Sequence, residues 1–321
     1  MGVEATPTPS PSMMEREPPY GDLSQETQVI STDYEEEDEE TIEPFREKNL
    51  RVFVNVTSEE FSESSYNTMD FNILLCESFE DLLTSYFQDF RIEGADKPWK
   101  AFMGDWIMDE IMRAYGIEYD GKPNSCCYVL VKMNKVNRTV KVGNLTDIAI
   151  KDYVNKAIEN LNISDASAVR KFMKSYGTHY IDSYVTGDSI YQVFKYKRSG
   201  YNFLRSKLRS NRKAFQDNLR FYFSSYFLKE VGEIRLASGN KTIETWAHQN
   251  LRDSQYLYSR PSLLRLHYNP YLASKLNDLL DNSALISINL KTLKPLFKDK
   301  YKAEMYAEIV ENDMKLWEIN V

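Results

Sequence analysis

The sequence predicts an α+β fold built on an antiparallel sheet, and three observations carry that expectation. A helical pattern stops at Gly177 and hands over to an unusually long β-rich run, Thr178–Tyr196. Cys126–Met133 and Val136–Val142 alternate in character on either side of turn-forming residues, as the arms of a tight hairpin do. Other stretches repeat apolar residues at three-and-four spacing, the pattern of amphipathic helices.

With 321 residues, 42% of them hydrophobic, the chain can bury a large core. Its formal charge of −8 argues against nucleic acid as a partner. No apolar run reaches the ~18 residues of a membrane-spanning helix. Residues 1–45 lack an apolar period and run into unbroken acid from Glu35 to Glu40. Such a segment cannot bury enough surface to offset its ordering entropy, so a disordered acidic tail is expected. One domain then spans residues 46–300, with a helix over 301–321 packed on it.

Arg51–Thr57 and Phe71–Leu75 read as strands. Ser78 opens a helix to Phe90, with Glu80 and Asp81 at its positive end. Trp99–Tyr115 is a second apolar helical stretch. The hairpin turns at Asn134–Asn137, and two helices follow from about Thr146 to Tyr176. Ser164 is the expected N-cap of the second, with Val169, Phe172 and Met173 on its apolar face and Gly177 stopping it. The strand beyond greatly exceeds the usual five or six residues, so Gly187 near its middle marks a bend or bulge. Ser199–Leu228 reads as basic helix. Glu233–Ala237 is a further strand, Thr242–Leu251 and Ala273–Leu280 are helices, and Ala284–Leu290 alternates as a strand. A last helix, Tyr301–Trp317, turns Tyr306, Ile309, Val310, Met314 and Trp317 inward.

Tyr176-Gly177-Thr178-His179-Tyr180, then six residues, then Gly187, resembles the signature Tyr-Gly-Thr-His-aromatic-x6-Gly-Gly of the membrane attack complex/perforin (MACPF) domain family. Residues 97–102 (KPWKAF), 238–242 (SGNKT) and 261–266 (PSLLRL) resemble the Torso-like branch of that family. The resemblance implies a bent, twisted antiparallel sheet of about four long strands flanked by helical clusters. It also implies a secreted, non-lytic developmental protein that works in extracellular matrix or at an anionic membrane surface. There it would permit localised receptor tyrosine kinase signalling by a growth-factor-like ligand, and it allows a homo-oligomer. The alternative is an oligomerising pore former. Three features favour the non-lytic form: a hairpin with no inserted helical cluster, a charge-studded second cluster, and Asp188 where the family usually has its second glycine. No basic-then-apolar leader opens the chain, and its composition alone points to the cytoplasm. An incomplete or alternative N-terminus reconciles that with secretion.

No phosphate loop, zinc spacing or nucleophile elbow occurs, so neither enzymatic activity nor a metal or cofactor is expected. His179 lies within the signature and is assigned to packing. Lys197, Arg198, Arg205, Lys207, Arg209, Arg212 and Lys213 form an acid-free run. As two membrane strands it would set charge on a lipid face, at about 2–4 kcal/mol each, so a basic docking surface or a solvated helix face is expected. Cys76, Cys126 and Cys127 allow one internal disulfide, Cys76 with either neighbour, or three buried free thiols. Asn55, Asn137, Asn144, Asn162 and Asn240 are sequon glycosylation candidates.

Overall fold

The computed structural model describes residues 31–33, 43–45, 52–54, 58–61, 70–103, 107–121, 126–143, 149–252 and 260–320. Of residues 1–45 it describes two short strands, β1 (Ser31–Asp33) and β2 (Glu43–Phe45), paired antiparallel, and the rest of the expected tail lies outside the described residues. Of the expected strand Arg51–Thr57, residues 52–54 make only a bridge to Ile150. β3 (Ser58–Phe61) and β4 (Asp70–Cys76) follow.

Helix α1 (Phe79–Tyr86) is opened by a capping box: the Ser78 hydroxyl accepts the Asp81 N–H, and the Asp81 carboxylate accepts the Ser78 N–H. It ends earlier than its apolar stripe suggests, because Phe90 is already in strand β5 (Phe90–Ile92). The Trp99–Tyr115 stretch is likewise two pieces, a 3-10 turn at Pro98–Phe102 and helix α2 (Met108–Ala114).

The expected hairpin is instead one continuous strand, β6 (Cys126–Val142). Asn134 to Asn137 do not turn because β7 (His179–Lys197) runs past them, pairing Asn134 with Ser189, Lys135 with Asp188 and Val136 with Gly187. A pairing with β7 that extends from Cys126↔Lys197 to Lys141↔Ser183 outweighs a local turn preference. Between β4 and β6, which pair antiparallel, lie α1, β5, the 3-10 turn and α2, so helices do fall between these adjacent strands, the feature expected to be missing. Helices α3 (Asp152–Asn160) and α4 (Ala166–Tyr176) likewise lie between β6 and β7. The α4 N-cap is Asp165, whose carboxylate accepts the Ser167 N–H, and not Ser164.

After β7 come α5 (Arg198–Ser210), α6 (Arg212–Asp217) and α7 (Leu219–Tyr222), so the basic run is helical. Strands β8 (Leu228–Val231) and β9 (Arg235–Leu236) return to pair with β7. Helices α8 (Lys241–Asn250), α9 (Leu264–His267) and α10 (Pro270–Leu279), strand β10 (Ala284–Thr292) and helix α11 (Lys300–Asn320) complete the chain.

The sheet is open and bent around β6 and β7, its two long strands. One half of that pair is flanked by β4 and by β8 and β9; the other is flanked by β3 and by β10, which β5 joins in parallel. Alternation along the strands sorts the core into two layers. Cys126, Tyr128 and Leu130 face α1–α4 and α11, whereas Cys127, Val129 and Val131 face α5–α10.

Candidate functional site

Two places on β7 carry the signature residues. The first is its start. Gly177 ends α4 with φ 79°, a left-handed conformation that favours glycine, and its N–H bonds the Met173 carbonyl at 2.7 Å. Tyr306 of α11 donates its hydroxyl to the Thr178 carbonyl at 3.2 Å, locking the last helix onto the turn. His179 is fully buried, with Nε2 2.7 Å from the Glu93 carbonyl and Nδ1 2.8 Å from the Thr178 hydroxyl. A carbonyl can only accept, so Nε2 carries the proton and Nδ1 accepts from Thr178. Burial pushes the imidazole below its ordinary pKa and keeps it neutral. Asp182 is engaged elsewhere, by Lys291 and Asn289. Tyr176 packs on Phe172 at 4.8 Å, and Tyr180 is buried in the core layer with Phe53.

The second place is the bend. The β6–β7 register slips between Val136 and Arg138, leaving Asn137 as a bulge opposite Gly187 and Thr186. A Cβ on Gly187 would stand 2.0 Å from the Lys135 carbonyl oxygen, 2.8 Å from Ile286 Cδ1 and 3.0 Å from the Asn137 nitrogen. Only glycine lets the two backbones approach so closely.

Asp188, next in line, is fully buried. Its carboxylate accepts the Asn282 backbone N–H at 2.7 Å and the Asn282 amide at 2.8 Å. The Asn282 carbonyl accepts from Asn137 Nδ2 at 2.7 Å, and its Oδ1 accepts from Asn240 Nδ2 at 3.1 Å. Lys135, the cross-strand neighbour of Asp188, donates to the carbonyls of Asn277 and Leu280 at the end of α10. Side chains from β6, β7 and the α8 N-cap are thus tied to the α10–β10 connection. Asp188 is visible in the sequence as a departure from the signature; its partner Asn282 is not.

The flanking motifs have structural uses. Trp99 is buried, the Lys97 N–H is accepted by Glu318 of α11, and Lys100 Nζ donates to the Glu318 carbonyl. Asn240 caps α8, accepting the Thr242 and Ile243 N–H groups. Leu263 donates its N–H to buried Gln192 of β7 at 2.9 Å.

The seven basic residues are not gathered on one face. At 100° per residue, Arg198, Arg205 and Arg209 share one flank of α5 and Lys207 lies on the other. Arg205 is paired with Glu77, Lys197 precedes α5, and Arg212 and Lys213 sit on α6 beyond a break. Cys76, Cys126 and Cys127 are free and buried, with no disulfide among them. Cys76 and Cys127 belong to opposite core layers, which separates that pair. Of the sequons, Asn162 is exposed, Asn137 and Asn240 use their amides at the bend, and Asn55 and Asn144 lie outside the described residues. Among the described residues no group of side chains could hold a metal ion, and no helix is long and apolar enough to cross a membrane.

The model of the MAC/Perforin domain matches residues 116–262. No curated protein matches the chain. Among solved structures, a MAC/Perforin-domain protein from Bacteroides thetaiotaomicron VPI-5482 aligns at 12% identity over 84% of this chain and 56% of its own, with a TM-score of 0.39. GNIP1Aa from Chromobacterium piscinae aligns at 11% identity over 91% and 55%, with a TM-score of 0.44. Astrotactin-2, a vertebrate-specific perforin-like membrane protein involved in neuronal development, aligns at 12% over 90% and 100%, with a TM-score of 0.36. The chain spans about half the length of the first two. The matched residues, 116–262, contain β6, β7 and the signature residues Gly177, His179 and Gly187, and over this stretch the chain is similar to the MAC/Perforin (MACPF) domain.

Proposed function

We propose that this is a secreted, non-lytic MACPF protein resembling Torso-like, which acts in extracellular matrix or at a cell surface to permit localised receptor tyrosine kinase signalling. The observation that carries "non-lytic" is the tied bend. For β6 and β7 to straighten into a flat ribbon, Asp188 must release two donors and Asn282 must give up Asn137 and Asn240. Hydrogen bonds to a charged group contribute about 1.5–3 kcal/mol each, so the bent form is held by several kcal/mol at this point alone. The charge-studded α5 supports the same reading. The signalling role draws on the resemblance of residues 97–102, 238–242 and 261–266.

The test is dye release from liposomes, combined with receptor phosphorylation in cells supplied with the purified chain and a growth-factor-like ligand. Intact liposomes with local phosphorylation are expected; dye release with ring-shaped oligomers would overturn the reading. The oligomerising pore former is the second reading because α1 and α2, between β4 and β6, and α5–α7, after β7, adjoin the paired strands.

A further inference from the structure

Beside the split basic run, helices α5–α7 and the residues after them hold rings out in water. Tyr226 is 81% exposed, Phe221 56% and Phe203 37%. These rings form one patch. Phe227 stacks on Phe203 at 5.4 Å and meets Phe221 at 5.3 Å and Tyr226 at 4.9 Å. Tyr222 joins it 5.3 Å from Phe221, and the Lys207 ammonium lies 5.4 Å over the Phe203 ring.

Charge around the patch is one-sided. Residues 197–229 contain nine Lys and Arg against one acid, Asp217, a balance of 9 − 1 = +8 in a chain of −8 overall. Arg205 and Lys229 are paired with Glu77 and Asp120. Lys207, Arg209, Arg212 and Lys213 have no acidic partner among the described residues.

A contiguous apolar patch on a surface marks an interaction site. A second copy on this face would set like-charged bases against one another. A sulfated polysaccharide would satisfy the bases but leave Phe221 without an apolar partner. A bilayer interface meets both demands, since aromatic rings settle at the headgroup boundary and Lys and Arg are drawn to anionic lipid.

We propose that Phe203, Phe221 and Tyr226, with Lys207 and the bases around them, form a peripheral docking face for an anionic phospholipid bilayer, engaged while α5–α7 remain folded. This does not rest on the signalling reading, because a signalling protein and a lytic one could both attach this way.

The full chain is sedimented with vesicles of phosphatidylcholine alone and of equal parts phosphatidylcholine and phosphatidylserine. Binding is expected only to the second, and weaker at high salt. Phe221→Ala combined with Tyr226→Ala lowers partitioning at least about tenfold, and Lys207→Gln lowers it about fivefold. An unchanged melting curve shows that these exposed substitutions leave the fold intact. Phe221→Trp adds emission that shifts to the blue on serine-containing vesicles, reporting the ring entering the interface. Equal binding to neutral vesicles, binding indifferent to loss of both rings, an unmoved Trp emission, or retention on heparin without vesicle binding would each overturn the proposal.

Discussion

Replacing Gly187 by alanine adds one methyl group where β6 and β7 come closest. Its Cβ would lie 2.0 Å from the Lys135 carbonyl oxygen and 2.8 Å from Ile286 Cδ1. Ile286 can change rotamer, but the carbonyl belongs to the backbone of β6, which is held to β7 through the neighbouring pairs Asn134↔Ser189, Lys135↔Asp188 and Val136↔Gly187. Ordinary carbon–oxygen contact requires more than an ångström of additional separation, so the Asn137 bulge and its bond to Asn282 must move with it. Overpacking a core costs about 1–3 kcal/mol, and a backbone obstacle places this variant at the upper end, about 3 kcal/mol. At roughly 2–4 °C per kcal/mol for a domain of this size, Tm should fall by about 6–12 °C. The assay is thermal unfolding followed by near-ultraviolet circular dichroism, with hydrogen exchange localising faster opening to residues 135–137 and 282. A variant that melts like the parent and protects those amides equally would refute the steric reasoning.

Asp188→Ala orphans the backbone N–H and the amide of Asn282, at about 1–3 kcal/mol for each donor left buried; exchange should quicken at residues 280–284 and stay unchanged at His179. If the ties alone restrain the bend, the same variant should shift the chain toward liposome leakage, and intact liposomes would confine their role to stability. Lys132 is buried with Nζ on the Tyr86 carbonyl, and desolvation holds it down from 10.5 to about 8. At about 1.36 kcal/mol per unit that is on the order of 3 kcal/mol against the charged form. The unfolded chain keeps its proton up to the higher value, so stability rises with pH between about 8 and 10.5. Lys132→Met should therefore melt higher than the parent at pH 7, net of the lost bond, with the gap closing toward pH 10. Cys76, Cys126 and Cys127 are all buried, and burial pushes the Cys76 thiol up to about 11, so a thiol reagent at neutral pH should leave the native cysteines unmodified. In denaturant without reductant all three should react, whereas a hidden disulfide would leave one.

What could be read from the chain was local. Gly177 stops α4 because a positive φ there suits only a residue without Cβ, and Ser78 with Asp81 announces the capping box. The stripe of Tyr306, Val310, Met314 and Trp317 marks the buried face of α11. Gly187 was legible as a bend because a lone glycine in a long β-rich run has few other uses. The turn expected at Asn134–Asn137 misled because the same residues serve a bulge when a partner strand is present. Nothing in the sequence singled out Phe221 and Tyr226, since composition does not distinguish a ring that packs inward from one facing water.

The chain by itself determined where helices stop, where the long strand begins and where it must bend, for those are conditions on φ, on Cβ and on side-chain period within a few residues. Only the tertiary structure decided that β6 is one strand, that Asp188 finds Asn282 94 residues away, and which aromatic rings are left outside. Long-range pairing and burial are settled by competition among all the segments that could pack together, and no short window of residues contains that competition.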